Sequence, residues 1–382
     1  MSIERLHRRD MLRVSAAGLA GSAIASSMAS ALAWGQAPPA TKDQPSTKEK
    51  PAAKPAPDPY ADAKLVKGPP PLPEKDAFTI AVLPDTQNYS ERFPETYLAQ
   101  TKWIVEQKQA RNIACVLHLG DITNRSTPAE WKNAAAAMEQ LDGHVPYFMA
   151  VGNHDYSEGG VCKDRTTRFN EYFPLAKHRD RPTFGGVYDK EPDRFENSFH
   201  LFSAGGRNFV VIALEFGPRA DVVRWANEVA ARHKDREAIL VTHAYMYYDE
   251  TRYDWKKYGA KQTWNPHSYT VAKATNDDVN DGEELWQKLV TRYENFALTL
   301  NGHVLNDGLG RTVTKTPGGR DVPQVLVNFQ MKPKGGDGWL RLLEFRADGK
   351  TVVAHDYSPT RNERNESDQN HFTLTLAPPG AA

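Results

Sequence analysis

Five short apolar runs in this chain each end directly at a residue type that binds metal ions. Leu83 is followed by Pro84-Asp85-Thr86-Gln87, Leu119 by Gly120-Asp121-Ile122-Thr123-Asn124, and Val151 by Gly152-Asn153-His154-Asp155. Val241 is followed by Thr242-His243, and Leu300 by Asn301-Gly302-His303. In an open α/β sheet the carboxyl ends of the strands converge on one crevice, where ligands bind. Five such ends bring Asp85, Asp121, Asn153, His243 and His303 toward a single point. Oxygen and imidazole donors suit manganese, iron, zinc or magnesium-type ions and disfavour soft copper(I) or a cluster. Glycines beside the donors let the chain turn sharply where a strand stops.

The segments between these runs carry helical patterns. Phe78–Leu83, Ile113–Leu119 and Pro146–Val151 read as strands. Tyr97–Gln109 has an apolar face of Tyr97, Ile104 and Val105. Thr127-Pro128-Ala129-Glu130 has the form of a capping box with proline at the first helical position, opening a helix to about Leu141. Asn208–Leu214, Ala238–Val241, Phe296–Leu300 and Gln324–Phe329 read as further strands, with helices near Asp221–His233 and Glu283–Tyr293. Gly338–Phe345 and Thr351–Tyr357, joined by Ala347-Asp348-Gly349, read as a closing hairpin. Apolar strands alternating with helices predict an α/β sheet covered on both faces.

Taken together, the five clusters resemble the signature of the calcineurin-like metallophosphoesterases: Asp-x-His, Gly-Asp-x-x-Asp or Asn, Gly-Asn-His-Asp or Glu, a lone His, then Gly-His-x-His. The resemblance covers Phe78 to His303 and implies a four-layer αββα sandwich of two mixed sheets flanked by helices. It implies two divalent metal ions (Mn, Fe, Zn, Mg or Ca). One is held by Asp121, Asn153, His243 and His303, and the other by Asp85, the shared Asp121 and Gln87. Gln87 replaces the family's histidine, and Leu305 occupies the place of the last one, with Asn306 or Asp307 close enough to substitute. A second site built from oxygen donors is expected to be harder and weaker. The activity implied is hydrolysis of a phosphate mono- or diester by a metal-bound hydroxide, with cations about 3.5–4 Å apart stabilising the attacking and leaving oxygens. His154, oriented by Asp155, is the implied catalytic pair, and Asn124 would orient Asp121 or the phosphate. The alternative is a non-catalytic metal- or phosphate-binding protein on a degraded phosphoesterase fold, for which Gln87 and Leu305 are the motive.

Other features narrow the setting. Residues 1–33 contain Arg8-Arg9, a weakly apolar Ala/Gly/Ser stretch and Ala31-Leu32-Ala33, resembling a cleavable twin-arginine export signal that delivers the chain to the periplasm. The stretch is about the minimum spanning length and is diluted by Ser and Gly, which argues against a stable membrane anchor. Residues 34–76 are rich in Pro, Ala and Lys and read as a disordered linker, leaving 77–375 as the catalytic domain. The formal net charge is +0, so no global field favours nucleic acid, and the expected partner is a phosphorylated small molecule or phosphodiester. Cys115 and Cys162 do not make a disulfide framework. Tyr245, Tyr247, Tyr248, Tyr253, Trp255, Tyr258 and Trp264 follow His243 and either wall a substrate pocket or anchor the insertion. His118 reads as a core histidine or a partner of the metal ligands, and His267 as a loop residue or a substitute ligand.

Overall fold

A computed structural model describes residues 58–377; the expected export signal and most of the linker lie outside the described residues. The chain starts one sheet, leaves to build a second, and returns to finish the first. The opening strands are β1 (Leu65–Lys67), β2 (Phe78–Leu83), β3 (Ile113–His118) and β4 (Tyr147–Met149). The second sheet takes β5 (Phe184–Val187), β6 (Ser198–Ala204), β7 (Arg207–Leu214), β8 (Glu237–Thr242), β9 (Phe296–Asn301), β10 (Leu309–Lys315) and β11 (Asp321–Val327). The return supplies β12 (Leu340–Phe345), β13 (Thr351–Ser358), β14 (Glu363–Asn365) and β15 (His371–Thr375).

The first sheet runs β1-β14-β13-β12-β2-β3-β4, with β15 beside β13, and the second runs β10-β11-β9-β8-β7-β6-β5. Strands β2, β3 and β4 are parallel, β4 forming one edge of the first sheet, as are β11, β9, β8 and β7, while the remaining pairings are antiparallel. The two-residue period of a strand sorts the side chains into two cores. Phe78, Ile80, Val82, Leu117, Phe148, Val211, Ile239, Val241, Leu298, Leu300 and Leu343 form one buried cluster. Their sequence neighbours Ala81, Leu83, Val116, Val210 and Leu240 join another, with Trp131, Met138, Val222 and Trp225 from helices. Each central strand is therefore apolar on both faces, and the architecture is the expected αββα sandwich. The parallel strands need crossover connections, and the helices Pro94–Gln107, Pro128–Met138 and Ala220–Arg232 lie in these links.

Thr127 caps the helix Pro128–Met138 by accepting from Glu130 N, but the expected capping box is only half formed, because the Glu130 carboxylate accepts from the N–H groups of Asn124 and Arg125 instead. Other expectations change. The last part of the expected linker is structured: Leu65–Lys67 pairs antiparallel with Glu363–Asn365. Side chains far along the chain hold this segment. The Arg111 guanidinium donates to the carbonyls of Pro70 (2.7 Å) and Pro71 (3.0 Å). The Tyr60 hydroxyl donates to Asp337 (2.7 Å) and accepts from Trp339 Nε1 (2.9 Å). A composition poor in large apolar residues does not disclose such anchors. Among the described residues, no helix is long and apolar enough to cross a membrane.

Candidate metal centre

The six predicted donors divide between the sheets. Asp85 and Gln87 follow β2, Asp121 follows β3 and Asn153 follows β4; His243 follows β8 and His303 follows β9. Gln87, Asp121, Asn153, His154 and His303 line one crevice, together with Trp264, Tyr269, Leu305 and Gln330. His243 lies beneath it, its Nε2 3.2 Å from Asp121 Oδ1 and 3.9 Å from Asp85 Oδ1. His303 Nδ1 is 3.2 Å from His243 Nε2. All six donor residues are buried.

Glycine makes this closeness possible. A Cβ on Gly152 would sit 2.1 Å from Asp121 Oδ1, and one on Gly302 would sit 2.2 Å from Asp85 Oδ2. Any side chain at either position would occupy space the carboxylate needs. Two donors are themselves held in the left-handed backbone region, Asp121 at φ 47° and His303 at φ 76°. Such conformations cost on the order of 1–3 kcal/mol and persist where the surroundings enforce them, which is common at functional sites. Asp85 is part of that enforcement, because both its oxygens accept from His303 N, at 3.0 and 3.2 Å.

Hydrogen bonds on the far side of each imidazole fix which nitrogen faces the crevice. His243 Nδ1 donates to the Leu119 carbonyl (2.8 Å), leaving Nε2 toward Asp121. His303 Nε2 donates to the Trp264 carbonyl (2.8 Å), leaving Nδ1 inward. Carbonyls only accept, so these tautomers follow from the partners. The inward nitrogens and an Asp121 oxygen lie within 4.8 Å of one another. Two further oxygens face the site without hydrogen-bond partners, Asn153 Oδ1 and Gln87 Oε1, both buried. An orphaned buried acceptor costs about 1–3 kcal/mol. Two of them beside two buried carboxylates and two bare imidazole nitrogens make a donor set that fits divalent cations.

The electrostatics agree. Burial raises the Asp85 carboxyl above its ordinary range, with His243 opposing and neighbouring Asp121 adding to the rise. Burial also acts against the Asp121 anion, yet His243 and His154 hold its carboxyl well below that range. Burial alone would lower His243, but Asp121 and then Asp85 push it up to about 9. The centre attracts positive charge.

His154 lines the crevice, its ring Nδ1 donating to the Asn124 carbonyl (2.8 Å), while its backbone N–H donates to Asp121 Oδ1 (3.0 Å). Three expectations are corrected here. Asp155 does not orient the His154 ring: its carboxylate accepts from the backbone N–H of Gly152, Ile122 and Thr123 and from the Thr123 hydroxyl, at 2.8–3.1 Å. Fully engaged by donors from two motif loops, it locks those loops together. Asn124 acts through its main chain. Tyr245 is fully buried and Asn306 is exposed, and neither lines the crevice. The chain turns immediately after Leu305, where Gly308 N bonds the Leu305 carbonyl, and Asn306 occupies that turn at φ 72°.

Leu305 itself stands in the crevice, beside Gln330. Gln330 and Tyr269 escaped the sequence reading. Gln330 had a signal, because β11 also runs from apolar residues into polar Asn328 and Gln330. Asn328 Nδ2 donates to the Val304 carbonyl and so ties this strand end to the loop carrying His303 (3.2 Å). His118 joins two motif loops: Nδ1 accepts from Gly120 N (3.2 Å) and Nε2 meets the Thr86 hydroxyl (2.9 Å). Burial holds His118 down to about 3, and it stays neutral. His267 is not a substitute ligand, because Asp277 (2.7 Å) and Glu284 (2.8 Å) occupy both its nitrogens.

Two facing sheets with carboxylate, amide and imidazole donors gathered at their strand ends define a metal-binding α/β sandwich. The chain belongs to the calcineurin-like phosphoesterase family, whose description matches residues 78–307. It is 29% identical over 318 residues to the uncharacterized protein YvnB of Bacillus subtilis (strain 168). That match covers 80% of this chain and only 22% of YvnB, so the chain spans about a fifth of that relative's length. Similar solved structures include the purple acid phosphatase PPD1 from yellow lupin seeds, at 14% identity and TM-score 0.43, covering 80% of this chain and 55% of that one. A 5'-nucleotidase precursor from Thermus thermophilus is 14% identical with TM-score 0.40, covering 78% and 55%.

Proposed function

We propose that this chain hydrolyses phosphate esters in the crevice between its two sheets, using metal ions. The observation that carries this reading is the donor set: Asp121, His243 and His303 with donor atoms within 4.8 Å of one another, Asp85 beside His243, and the orphaned buried amide oxygens of Asn153 and Gln87 in the same crevice. Asp121, Asn153, His243 and His303 would hold one cation, and Asp85, Asp121 and Gln87 a second. Divalent ions at such a centre supply an activated water, in effect a hydroxide, at neutral pH and positive charge for the phosphoryl oxygens. The residues supply the rest. His154 presents Nε2 to the crevice because Nδ1 is committed to the Asn124 carbonyl. That nitrogen is placed to exchange a proton with a phosphoryl or leaving oxygen. Asp155 keeps its loop in place, so its role is positional.

The test is metal content measured beside hydrolysis of aryl phosphate mono- and diesters. The wild type is expected to carry about two ions and turn over. Asn153→Ala should lose metal, and His154→Ala should keep metal and lose turnover. An Asn153→Ala variant with full metal content would contradict the assignment. Leu305 in the crevice favours a second reading, a protein that binds metal or phosphate without catalysis. Stoichiometric metal with no hydrolysis of any ester would establish that one instead.

The same reading extends to export through a twin-arginine route to the periplasm, supported by Arg8-Arg9 and the Ala31-Leu32-Ala33 sequence. A reporter fusion should lose export when both arginines become lysine; unaffected export refutes it.

A further inference from the structure

The seven tryptophans in the described residues are not alike. Trp103, Trp131, Trp225, Trp255 and Trp339 each pack against another aromatic ring, and Trp286 lies under the Arg252 guanidinium. Trp264 alone has no ring or cation partner among the described residues, although it lines the crevice and is 41% exposed. A large apolar ring left uncovered at a binding crevice is an unspent contact surface.

Its backbone, by contrast, is pinned on both sides. Thr263 is held by two tyrosines: its hydroxyl meets the Tyr247 hydroxyl, and its carbonyl accepts from Tyr253 Oη, both at 3.0 Å. Asn265 is fully buried and donates to Asp281 (3.1 Å), while its side-chain oxygen accepts from His267 N (3.0 Å). Between them Trp264 stands at φ 62°, a conformation unfavourable for a bulky residue. Its carbonyl accepts from His303 Nε2 (2.8 Å). The anchored loop thus fixes a metal ligand with one atom group and offers a bare indole to the crevice with another. The other apolar groups at hand are Leu305 and Tyr269 in the crevice, and no lysine or arginine lines it.

We propose that Trp264 is a binding platform for a planar aromatic group carried by the substrate next to its phosphate, such as an aryl or nucleobase ring. The proposal rests on the phosphoesterase reading and adds the class of ester. The ring of the substrate stacks on the indole while the phosphate sits over the Asp121 and His303 donors. With no lysine or arginine in the lining to take a second phosphate, the indole surface is what selects the organic group.

The experiment compares wild type, Trp264→Gly and Trp264→Phe, all as full-length metal-loaded protein. Glycine is chosen because it adopts φ near 60° freely and keeps the loop carbonyl on His303. The substrates are phosphate mono- and diesters of 4-nitrophenol, of a nucleoside and of glycerol, and bound metal is measured in each sample. The expected result is unchanged metal content in Trp264→Gly with kcat/KM lower by at least about fivefold for the aromatic esters, the lower end of ring-on-aromatic stacking. Glycerol esters should stay within about twofold, and Trp264→Phe should recover most of the loss. If only the nitrophenyl or only the nucleoside esters respond, that ring is the one the platform takes. Equal losses on all three classes, or no loss on the aromatic ones, overturn the proposal. If the wild type hydrolyses none of them, the phosphoesterase reading fails, and the platform is judged by calorimetric binding of 4-nitrophenyl phosphate against inorganic phosphate. Weaker binding of only the aryl compound to Trp264→Gly supports the platform, and identical binding to both variants removes it.

Discussion

Gly302→Ala is a one-methyl test of how the centre is built. The backbone at Gly302 lies outside the left-handed region, so alanine brings no torsional penalty there. The whole effect comes from one contact: the new Cβ would lie 2.2 Å from Asp85 Oδ2, where ordinary van der Waals contact begins at 3.4 Å. The carboxylate has to withdraw by about 1 Å. That movement breaks the bifurcated hydrogen bond from the single His303 N–H, worth about 1.5–3 kcal/mol because the acceptor is charged. It also releases His303 from its φ of 76°. Displacing a reacting constellation by about 1 Å costs on the order of a hundredfold in rate. The assay is metal stoichiometry by elemental analysis together with kcat/KM on an aryl phosphate and the thermal midpoint. Gly319→Ala is the matched control, at φ 90° with no atom within 4 Å of its Cβ. It should lose about 1–2 kcal/mol of stability to backbone strain and keep its metal. Gly302→Ala should lose metal and turnover along with about 1.5–3 kcal/mol of stability. Full metal content and unchanged turnover in Gly302→Ala would refute the claim that steric room for Asp85 limits the site.

Two further outcomes follow from the ion pairs. His267 is pushed up to about 9; burial would lower it, but hydrogen bonds to Glu284 and Asp277 reverse this. A raised folded value stabilises fully below the ordinary value of 6.5 and is lost as pH climbs through 9, so His267→Gln should flatten a decline on the order of 2 kcal/mol between those limits. Urea melts at pH 6 and pH 9.5 read this directly, and an unaltered pH slope in the variant refutes it. Arg341 and Asp356 form a fully buried two-point pair, both contacts 2.7 Å. Arg341→Met strands the carboxylate and should cost about 3–5 kcal/mol, whereas Arg341→Met with Asp356→Leu should recover much of it. A denaturation series in which the double variant is no better than the single one would contradict that account.

The sequence disclosed what is local. Phe78–Leu83 and the Thr127 cap are legible because strand alternation and capping depend on neighbours a few positions away. The five donor clusters are legible because each sits where an apolar run stops. The edge strands are not. Lys67 and the second half of β10 are exposed or half-exposed, so no apolar pattern marks them, and the partner of β1 lies far along the chain at Glu363–Asn365. Asp155 misled for a related reason. Adjacency to His154 suggested a partnership, but the short turn Asn153–Asp155 sends consecutive side chains apart, one to the crevice and one to the loops behind it. Gln330 lines the crevice from a strand end that Asn328 ties to the loop after His303, a link no spacing reveals.

The division of donors between the sheets has a mechanical side. Every carboxylate and amide predicted to bind metal comes from the first sheet, and both imidazoles come from the second. Asp85 and His303, already hydrogen-bonded, are separated by 218 positions along the chain. An ion gripped by both halves therefore acts as a clasp across the sandwich, resisting the sliding of one sheet over the other. Chelation would loosen the whole body at its seam, and proteases would find the loops around that seam before the strands themselves gave way.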